Sequence, residues 1–155
     1  MPTPEQSGCR ICEAGTAAGA GNASCTLCPS DSVAERGSSR CTVCANGNTP
    51  NAQRSRCLAC PSGTFSTMGA ECEECAPGHF ATAESLECAA CPDGSVPTKD
   101  RSSCQPCPRG RHSTQGRPCE NCTVGHVSTV GSPTCEMCLA GYSPSANLDR
   151  CERCP

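Results

Sequence analysis

The chain has 155 residues, a formal net charge of −3, no Trp, one Tyr and two Phe. Val, Ile, Leu and Phe together number fourteen, which excludes a conventional apolar core for a chain of this length. The 12 Lys and Arg form no basic stripe that could follow a phosphate backbone, so nucleic acid is not an expected partner.

Cysteine dominates the sequence. All 20 cysteines fall into ten C-x-x-C pairs that follow one another at steps of 15 or 16 residues. This spacing is the signature of a tandem repeat. We define nine modules, each beginning at the second Cys of a pair: 12–27, 28–43, 44–59, 60–74, 75–90, 91–106, 107–121, 122–137 and 138–153. Cysteine-dense composition is typical of secreted disulfide scaffolds, in which cross-links replace apolar burial, and it predicts an extracellular or cell-surface protein.

Residues 1–8 are interpreted as a linker or the end of a preceding module, and residues 9–155 as the array. The short stretch before the first pair leads us to expect that the chain is a segment of a longer array. No apolar run in the given sequence approaches the roughly 20 residues that a membrane span needs.

Glycine stands at the third position after the second Cys in eight modules. These residues are Gly15, Gly47, Gly63, Gly78, Gly94, Gly110, Gly125 and Gly141. A turn with positive φ is predicted there, and Asp31, the exception, is expected to tolerate the same conformation. A short β-prone piece follows the glycine, as in Thr64-Phe65-Ser66-Thr67, and a polar loop then leads to the next pair.

Each module is therefore predicted to be a small irregular β-hairpin, with almost no helix in the chain. The expected fold class is a small disulfide-rich tandem repeat, forming an elongated rod or solenoid in which each module touches only its neighbours. The two 15-residue steps lie three modules apart, so a 47-residue super-repeat overlies the short one. A solenoid that advances by three modules would give this signal, and so would gene duplication alone.

Three disulfide patterns are compatible with the repeat. The first links the second Cys of each pair to the first Cys of the next pair. It gives Cys12–Cys25, Cys28–Cys41, Cys44–Cys57, Cys60–Cys72, Cys75–Cys88, Cys91–Cys104, Cys107–Cys119, Cys122–Cys135 and Cys138–Cys151. Cys9 and Cys154 then remain unpaired or bond to further modules. The second pattern closes each strained C-x-x-C ring on itself, and the third crosses neighbouring pairs in blocks of two, which conflicts with the three-module period.

Cysteine pairs, histidines and acidic clusters can also bind metals. Four-thiolate zinc sites are an alternative use of C-x-x-C pairs, but the basic and aromatic context of zinc modules is missing. His79, His112 and His126, and the acidic cluster of Glu71, Glu73 and Glu74, are interpreted as polar surface. We therefore expect no catalytic residue, no metal site and no cofactor.

Two sequons match the N-glycosylation pattern. They begin at Asn22 and Asn121, and the second lies inside a C-x-x-C pair. Both are candidate glycan sites in an extracellular chain.

The unit C-x-x-C-P-x-G followed by an aromatic and Ser or Thr, best seen at 57–75 and again at 88–107, resembles the ephrin-receptor-like cysteine-rich repeat. It is also similar to the first loop of tumour-necrosis-factor-receptor modules. The resemblance implies the neighbour-linked disulfide pattern. Most modules here lack the aromatic residue after the glycine.

The sequence thus predicts a non-catalytic extracellular segment: a structural rod, a stalk or part of a surface filament. Its expected partners are further copies of the array or neighbouring modules, with glycans on its loops. A receptor or adhesion ectodomain that binds a protein ligand is the alternative, which a contiguous apolar patch on adjacent modules would favour.

Overall fold

The computed structural model describes residues 11–19 and 24–155. Every module forms one antiparallel two-stranded hairpin, and the described residues contain no helix. The predicted class, a disulfide-rich tandem repeat of small hairpins without helix, is confirmed. The strand pairs are β1 Thr16–Ala18 with β2 Cys25–Leu27, β3 Ser32–Val33 with β4 Thr42–Val43, β5 Asn48–Pro50 with β6 Cys57–Ala59, β7 Thr64–Phe65 with β8 Glu73–Glu74, β9 His79–Phe80 with β10 Ala89–Ala90, β11 Ser95–Pro97 with β12 Cys104–Pro106, β13 Arg111–His112 with β14 Glu120–Asn121, β15 His126–Val127 with β16 Glu136–Met137, and β17 Tyr142–Pro144 with β18 Cys151–Arg153.

Each hairpin begins with a tight turn directly after the second Cys of a pair. In module 4 the main-chain N–H of Thr64 donates to the Pro61 carbonyl at 3.2 Å, and Gly63 lies between them with φ +80°. This φ at the third turn position is that of a type II turn, which favours glycine. All eight predicted turn glycines have φ between +72° and +86°. The expectation of a positive-φ turn is confirmed for them.

Asp31 is the exception, and the prediction for it was wrong. Ser32 still donates its N–H to the Pro29 carbonyl at 3.2 Å, so the turn is present in module 2. Asp31 nevertheless does not share the positive φ of the glycines. A type I turn makes the same hydrogen bond with negative φ at both central residues, and it accepts Asp without strain. The residue change therefore alters the turn type.

The far end of each hairpin is tied back to the same turn. In module 5 the N–H of Cys91 donates to the carbonyl of the turn residue Gly78 at 2.9 Å, and every module has the equivalent bond. The disulfide of the module then joins the turn to the start of the returning strand. Two-stranded hairpins are marginal in water by themselves, so these cross-links and the neighbouring modules must stabilise them.

The interior is built from sulfur and small side chains. The largest fully buried side chains are Cys28, Cys44, Cys60, Cys107 and Ser66. Only one large aliphatic residue, Val127, joins alanines such as Ala34 and Ala81 among the buried apolar residues of the described chain. Every buried serine hydroxyl has an acceptor: the Ser128 hydroxyl donates to the Arg111 carbonyl at 2.8 Å, for example, and the Ser145 hydroxyl donates to the Asp149 carboxylate at 2.8 Å. Disulfides thus occupy the place that apolar side chains take in an ordinary domain.

The chain divides into two compact units. The first comprises Met1–Cys60 and Ser66–Cys72, and the second comprises Pro61–Phe65 and Glu73–Pro155. Within the first unit, Gly15 donates its N–H to the Ala34 carbonyl of the next module at 2.7 Å. Within the second unit, Gly94 makes the equivalent bond to Ser113 at 2.7 Å. The backbone of one module is thus hydrogen-bonded to that of the next inside each unit.

A 47-residue period is visible in the backbone. Arg54, Arg101 and Leu148 have left-handed φ values of 50°, 52° and 57°, and they stand 47 residues apart in modules 3, 6 and 9. The main-chain carbonyl of each accepts a hydrogen bond from the preceding module, as that of Arg101 does from the N–H of Ala81 at 3.0 Å. A left-handed conformation is unfavourable for such residues, so the surrounding loop must impose it. Every third module therefore has the same loop geometry.

Candidate functional site

Nine disulfides join cysteines of the described residues, and they follow the neighbour-linked pairing. The bonded residues are 12 or 13 positions apart, with Cα atoms 5.5–5.7 Å apart. This separation is within the normal range of protein disulfides. The sulfurs are therefore not gathered in fours, as the zinc alternative would require, and no C-x-x-C pair is closed on itself.

The two end cysteines differ from the other eighteen. Cys9 lies outside the described residues. Cys154 is exposed and has no partner among the described residues. Its main-chain N–H still donates to the Gly141 carbonyl at 2.9 Å, as the second Cys of every earlier pair does to its own turn. The main chain of Cys154 thus has the same relation to its turn as that of the earlier second cysteines.

Modules pack on their second neighbours as well as on their first, so the expectation of contacts between adjacent modules alone was wrong. A Cβ added at Gly63 of module 4 would lie 2.6 Å from the Asp100 carbonyl oxygen of module 6. One at Gly78 of module 5 would lie 2.7 Å from the Gln115 oxygen of module 7. Glycine is therefore required at these turns for two reasons: the positive φ, and the close approach of another segment of backbone.

Ionic groups reinforce these packing contacts. The Arg101 guanidinium donates to the Cys75 carbonyl at 2.6 Å and lies 3.5 Å from Glu74. Arg109 of module 7 forms an ion pair of 3.2 Å with Asp149 of module 9. The Ser145 hydroxyl, and then Arg109 and Arg150, hold the pKa of Asp149 below its ordinary value. Hydrogen bonds from Thr98 and Ser102 likewise lower the pKa of Asp100, in an exposed loop.

The three histidines have local roles. His79 and His126 sit in the turns, where each ring Nδ1 lies close to a main-chain carbonyl two residues earlier. The Nδ1 atom of His112 is 3.2 Å from the sulfur of Cys135. His112, Cys122 and Cys135 have ligand atoms within 4.8 Å of one another. The two sulfurs form a disulfide, however, and metal binding by cysteine requires thiolates. As it stands, this cluster is not a metal site.

The acidic cluster and the sequons lie at the surface. Glu71, Glu73 and Glu74 are exposed, and so is Asn121 on β14. Cys122, the middle residue of the second sequon, is disulfide-bonded to Cys135. Asn22 lies outside the described residues. Glycan occupancy at both asparagines stays a prediction.

One groove lies on modules 5 to 7 in the second unit. It has a volume of about 790 Å³ and is lined by Val96, Pro97 and Pro118, with His79 and Arg117 at its edge. The apolar lining and the cationic edge would suit a peptide or another extended chain that carries an acidic group. Nothing in the sequence pattern predicted this groove, because its walls come from three different modules.

The described residues contain no helix that is long and apolar enough to cross a membrane. No protein-family model matches the chain, and a search of curated proteins finds no match either.

Proposed function

We propose that the chain is a non-catalytic structural segment of an extracellular protein, of the stalk or surface-filament kind. The observation that carries the proposal is the nine-disulfide ladder that takes the place of an apolar core. Such bridges persist in oxidising compartments and are reduced in the cytosol, which supports the extracellular location. Further copies or neighbouring modules are the proposed partners, and Asn22 and Asn121 the proposed glycan sites.

Each cross-link stabilises its own module. A disulfide that closes a loop of this length stabilises the folded state by about 3 kcal/mol in the chain-entropy model. Each of the nine modules has its own bridge, so stability is distributed along the chain and does not depend on one central core. A protein built in this way can be extended by adding modules, which suits a stalk or a fibre.

We also propose which type of cysteine-rich repeat the chain contains. The C-x-x-C spacing, the turn glycines and the neighbour-linked disulfides all support a relationship to ephrin-receptor-like or tumour-necrosis-factor-receptor-like cysteine-rich repeats. The hairpins of this chain have a lower apolar content than those repeats, because most carry no aromatic residue after the turn glycine.

The test is to locate the native protein and image it. Antibodies to the chain should label intact cells, and electron microscopy of the purified native assembly should show the array as part of a thin extended structure. Intact mass before and after alkylation, without reductant, should show no more than two reactive thiols. Twenty reactive thiols with bound metal, or labelling only after permeabilisation, would refute the proposal and favour the zinc-array alternative.

A receptor or adhesion ectodomain is the second candidate, and the groove on modules 5 to 7 favours it. Because Arg117 stands at the edge of an apolar lining, the expected ligand is a chain segment with acidic and apolar residues. Arg117→Glu reverses the charge at the groove and should abolish binding of such a ligand. Arg36→Glu, at an exposed site in module 2, is the control. Unchanged binding in Arg117→Glu would exclude the groove.

A further inference from the structure

The disulfide of module 8, Cys122–Cys135, has a histidine ring against it. The Nδ1 atom of His112, in module 7, lies 3.2 Å from the Cys135 sulfur. A disulfide sulfur carries no hydrogen, so the ring nitrogen is the only possible donor in this contact. The Cys122 sulfur is also within 4.8 Å of a ring nitrogen. One ionisable side chain thus faces both sulfurs of the bridge.

The repeat explains why a side chain of module 7 reaches the bridge of module 8. His112 stands on β13, two residues after the turn glycine Gly110. Ala17 has the same place in module 1, and it packs in one cluster with Cys28 and Cys41, which form the bridge of module 2. In both places the second residue after the turn lies against the disulfide of the following module.

Module 7 alone has an ionisable residue at this position. The other eight modules carry small, apolar or hydroxyl residues there: Ala17, Val33, Thr49, Phe65, Phe80, Val96, Val127 and Ser143. None of these side chains can carry a positive charge. Exposure does not distinguish the bridge, because Cys135 is half-buried and so are its counterparts Cys41 and Cys88. The histidine therefore sets this disulfide apart from the others.

We propose that Cys122–Cys135 is the exchangeable bridge of the array, a site that reacts with dithiols and protein thiols while the other eight bridges stay closed. The inference goes beyond the structural function, which needs only that the bridges exist. It gives one of them a chemical role, as the point where the array can be opened or joined covalently to a partner that carries a thiol.

The reaction with a dithiol has two steps. A thiolate of the dithiol attacks the Cys135 sulfur, the disulfide bond breaks, and Cys122 leaves with the electron pair and takes up a proton. The second thiolate of the reagent then attacks the reagent sulfur of the mixed disulfide, and Cys135 leaves as a thiolate. The dithiol is oxidised to a cyclic disulfide and the bridge is reduced. The two protons of the dithiol end on Cys122 and on His112.

The charges around His112 favour the reduced form of the bridge. Glu120 lies opposite His112 across the hairpin, and Arg117 lines the same small pocket, so charges of both signs flank the ring. Reduction adds the negative charge of a thiolate at the Cys135 sulfur, which pairs with the imidazolium. A positive neighbour favours the thiolate of a cysteine, and a dithiol form stabilised in this way makes its disulfide easier to reduce.

The experiment equilibrates the full, oxidised chain with mixtures of reduced and oxidised dithiothreitol. Free thiols are then alkylated, and each cysteine is mapped by mass spectrometry. A background with Cys9→Ser and Cys154→Ser ensures that neither end cysteine takes part. Cys122 and Cys135 should be the first bridged pair to become alkylated as the proportion of reduced reagent rises.

His112→Phe removes the ring nitrogen and should still fold, because Phe65 and Phe80 hold the same position in modules 4 and 5. Reduction of Cys122–Cys135 should then need a proportion of reduced reagent about 10- to 100-fold higher, the effect of losing one charge-assisted hydrogen bond. The ultraviolet absorbance of the thiolate in the partly reduced chain should fall as well, which a purely packing role of His112 would not cause.

Phe65→His is the reciprocal variant. It places an imidazole in module 4 against Cys75–Cys88, the bridge of module 5. This bridge should become easier to reduce by a similar factor, while the bridge at Cys122–Cys135 keeps its behaviour. Cys75–Cys88 lies in the middle of the array, so this result does not depend on what precedes or follows the chain.

Unchanged reduction of Cys122–Cys135 in His112→Phe overturns the proposal and leaves the structural function standing, since the nine bridges are still present. Should His112→Phe fail to form its bridges, Phe65→His decides, and an unchanged Cys75–Cys88 then overturns the proposal. A native chain whose cysteines are not bridged at all overturns both this proposal and the structural function.

Discussion

Replacement of Gly78 by Ala, compared with replacement of Gly125 by Ala, tests the packing of modules on their second neighbours. The two glycines occupy the same turn position in successive super-repeats, with φ +83° and +82°. Each substitution forces a residue with a Cβ into the left-handed region, which costs about 1–2 kcal/mol. Each also lowers the entropy of the unfolded chain by the same amount, so that this effect cancels in the comparison.

The difference between the two sites lies in what the new methyl group meets. At Gly78 it would lie 2.7 Å from the Gln115 carbonyl oxygen, closer than real Cβ contacts, and at Gly125 it meets nothing within 4 Å. Overpacking of this kind costs about 1–3 kcal/mol. Gly78→Ala should therefore destabilise the chain by that much more than Gly125→Ala. For a chain of 155 residues this corresponds to a melting temperature lower by about 2–12 °C.

The assay is differential scanning calorimetry of both variants with all disulfides intact, at a low protein concentration that avoids self-association. Hydrogen exchange should in addition show faster exchange at the tip of module 7 in Gly78→Ala and unchanged rates there in Gly125→Ala. Equal melting temperatures for the two variants would refute the contact between modules 5 and 7.

Two further predictions concern polar contacts between modules. Arg101→Leu removes the hydrogen bond from the guanidinium to the Cys75 carbonyl and should lower the free energy of unfolding by about 1 kcal/mol. The variant should still fold, because Leu148 holds the same position in module 9. An unchanged melting temperature would show that the bond contributes nothing. The pKa of Asp149 is lowered below 3.8, so its contacts with Ser145 and Arg109 stabilise the chain above that pH and are lost as the pH falls through the lower, folded-state pKa. Asp149→Asn should therefore melt lower than the parent chain at pH 7, and the difference should shrink as the pH falls through the folded-state pKa; a difference that does not change with pH would contradict this assignment.

The local structure of a module could be predicted from the sequence because its signals are local. A glycine three residues after a cysteine, as at Gly63, fixes the turn, and the β-prone residues Thr64 and Phe65 that follow form the predicted strand. Asp31 was misjudged because the same turn hydrogen bond can be made without positive φ. Residue type alone does not distinguish the two turn types at Asp.

The contacts between second neighbours could not be predicted, since they depend on how successive hairpins are rotated. The left-handed conformation of Arg54 and Arg101 could not be recognised in the sequence, because arginine is an ordinary surface residue and seldom adopts left-handed φ. Gly125 and Gly141 look identical to the other turn glycines in sequence, and only the structure shows that a Cβ added at either would meet nothing within 4 Å.

The disulfide connectivity tests most directly the claim that bridges between neighbouring C-x-x-C pairs hold this fold together. Partial reduction and alkylation of the native protein, followed by peptide mapping, should recover nine bridges that each join the second Cys of one pair to the first Cys of the next, such as Cys60–Cys72 and Cys91–Cys104. Bridges within a C-x-x-C pair, bridges that cross two pairs, or free thiols bound to metal would contradict the account.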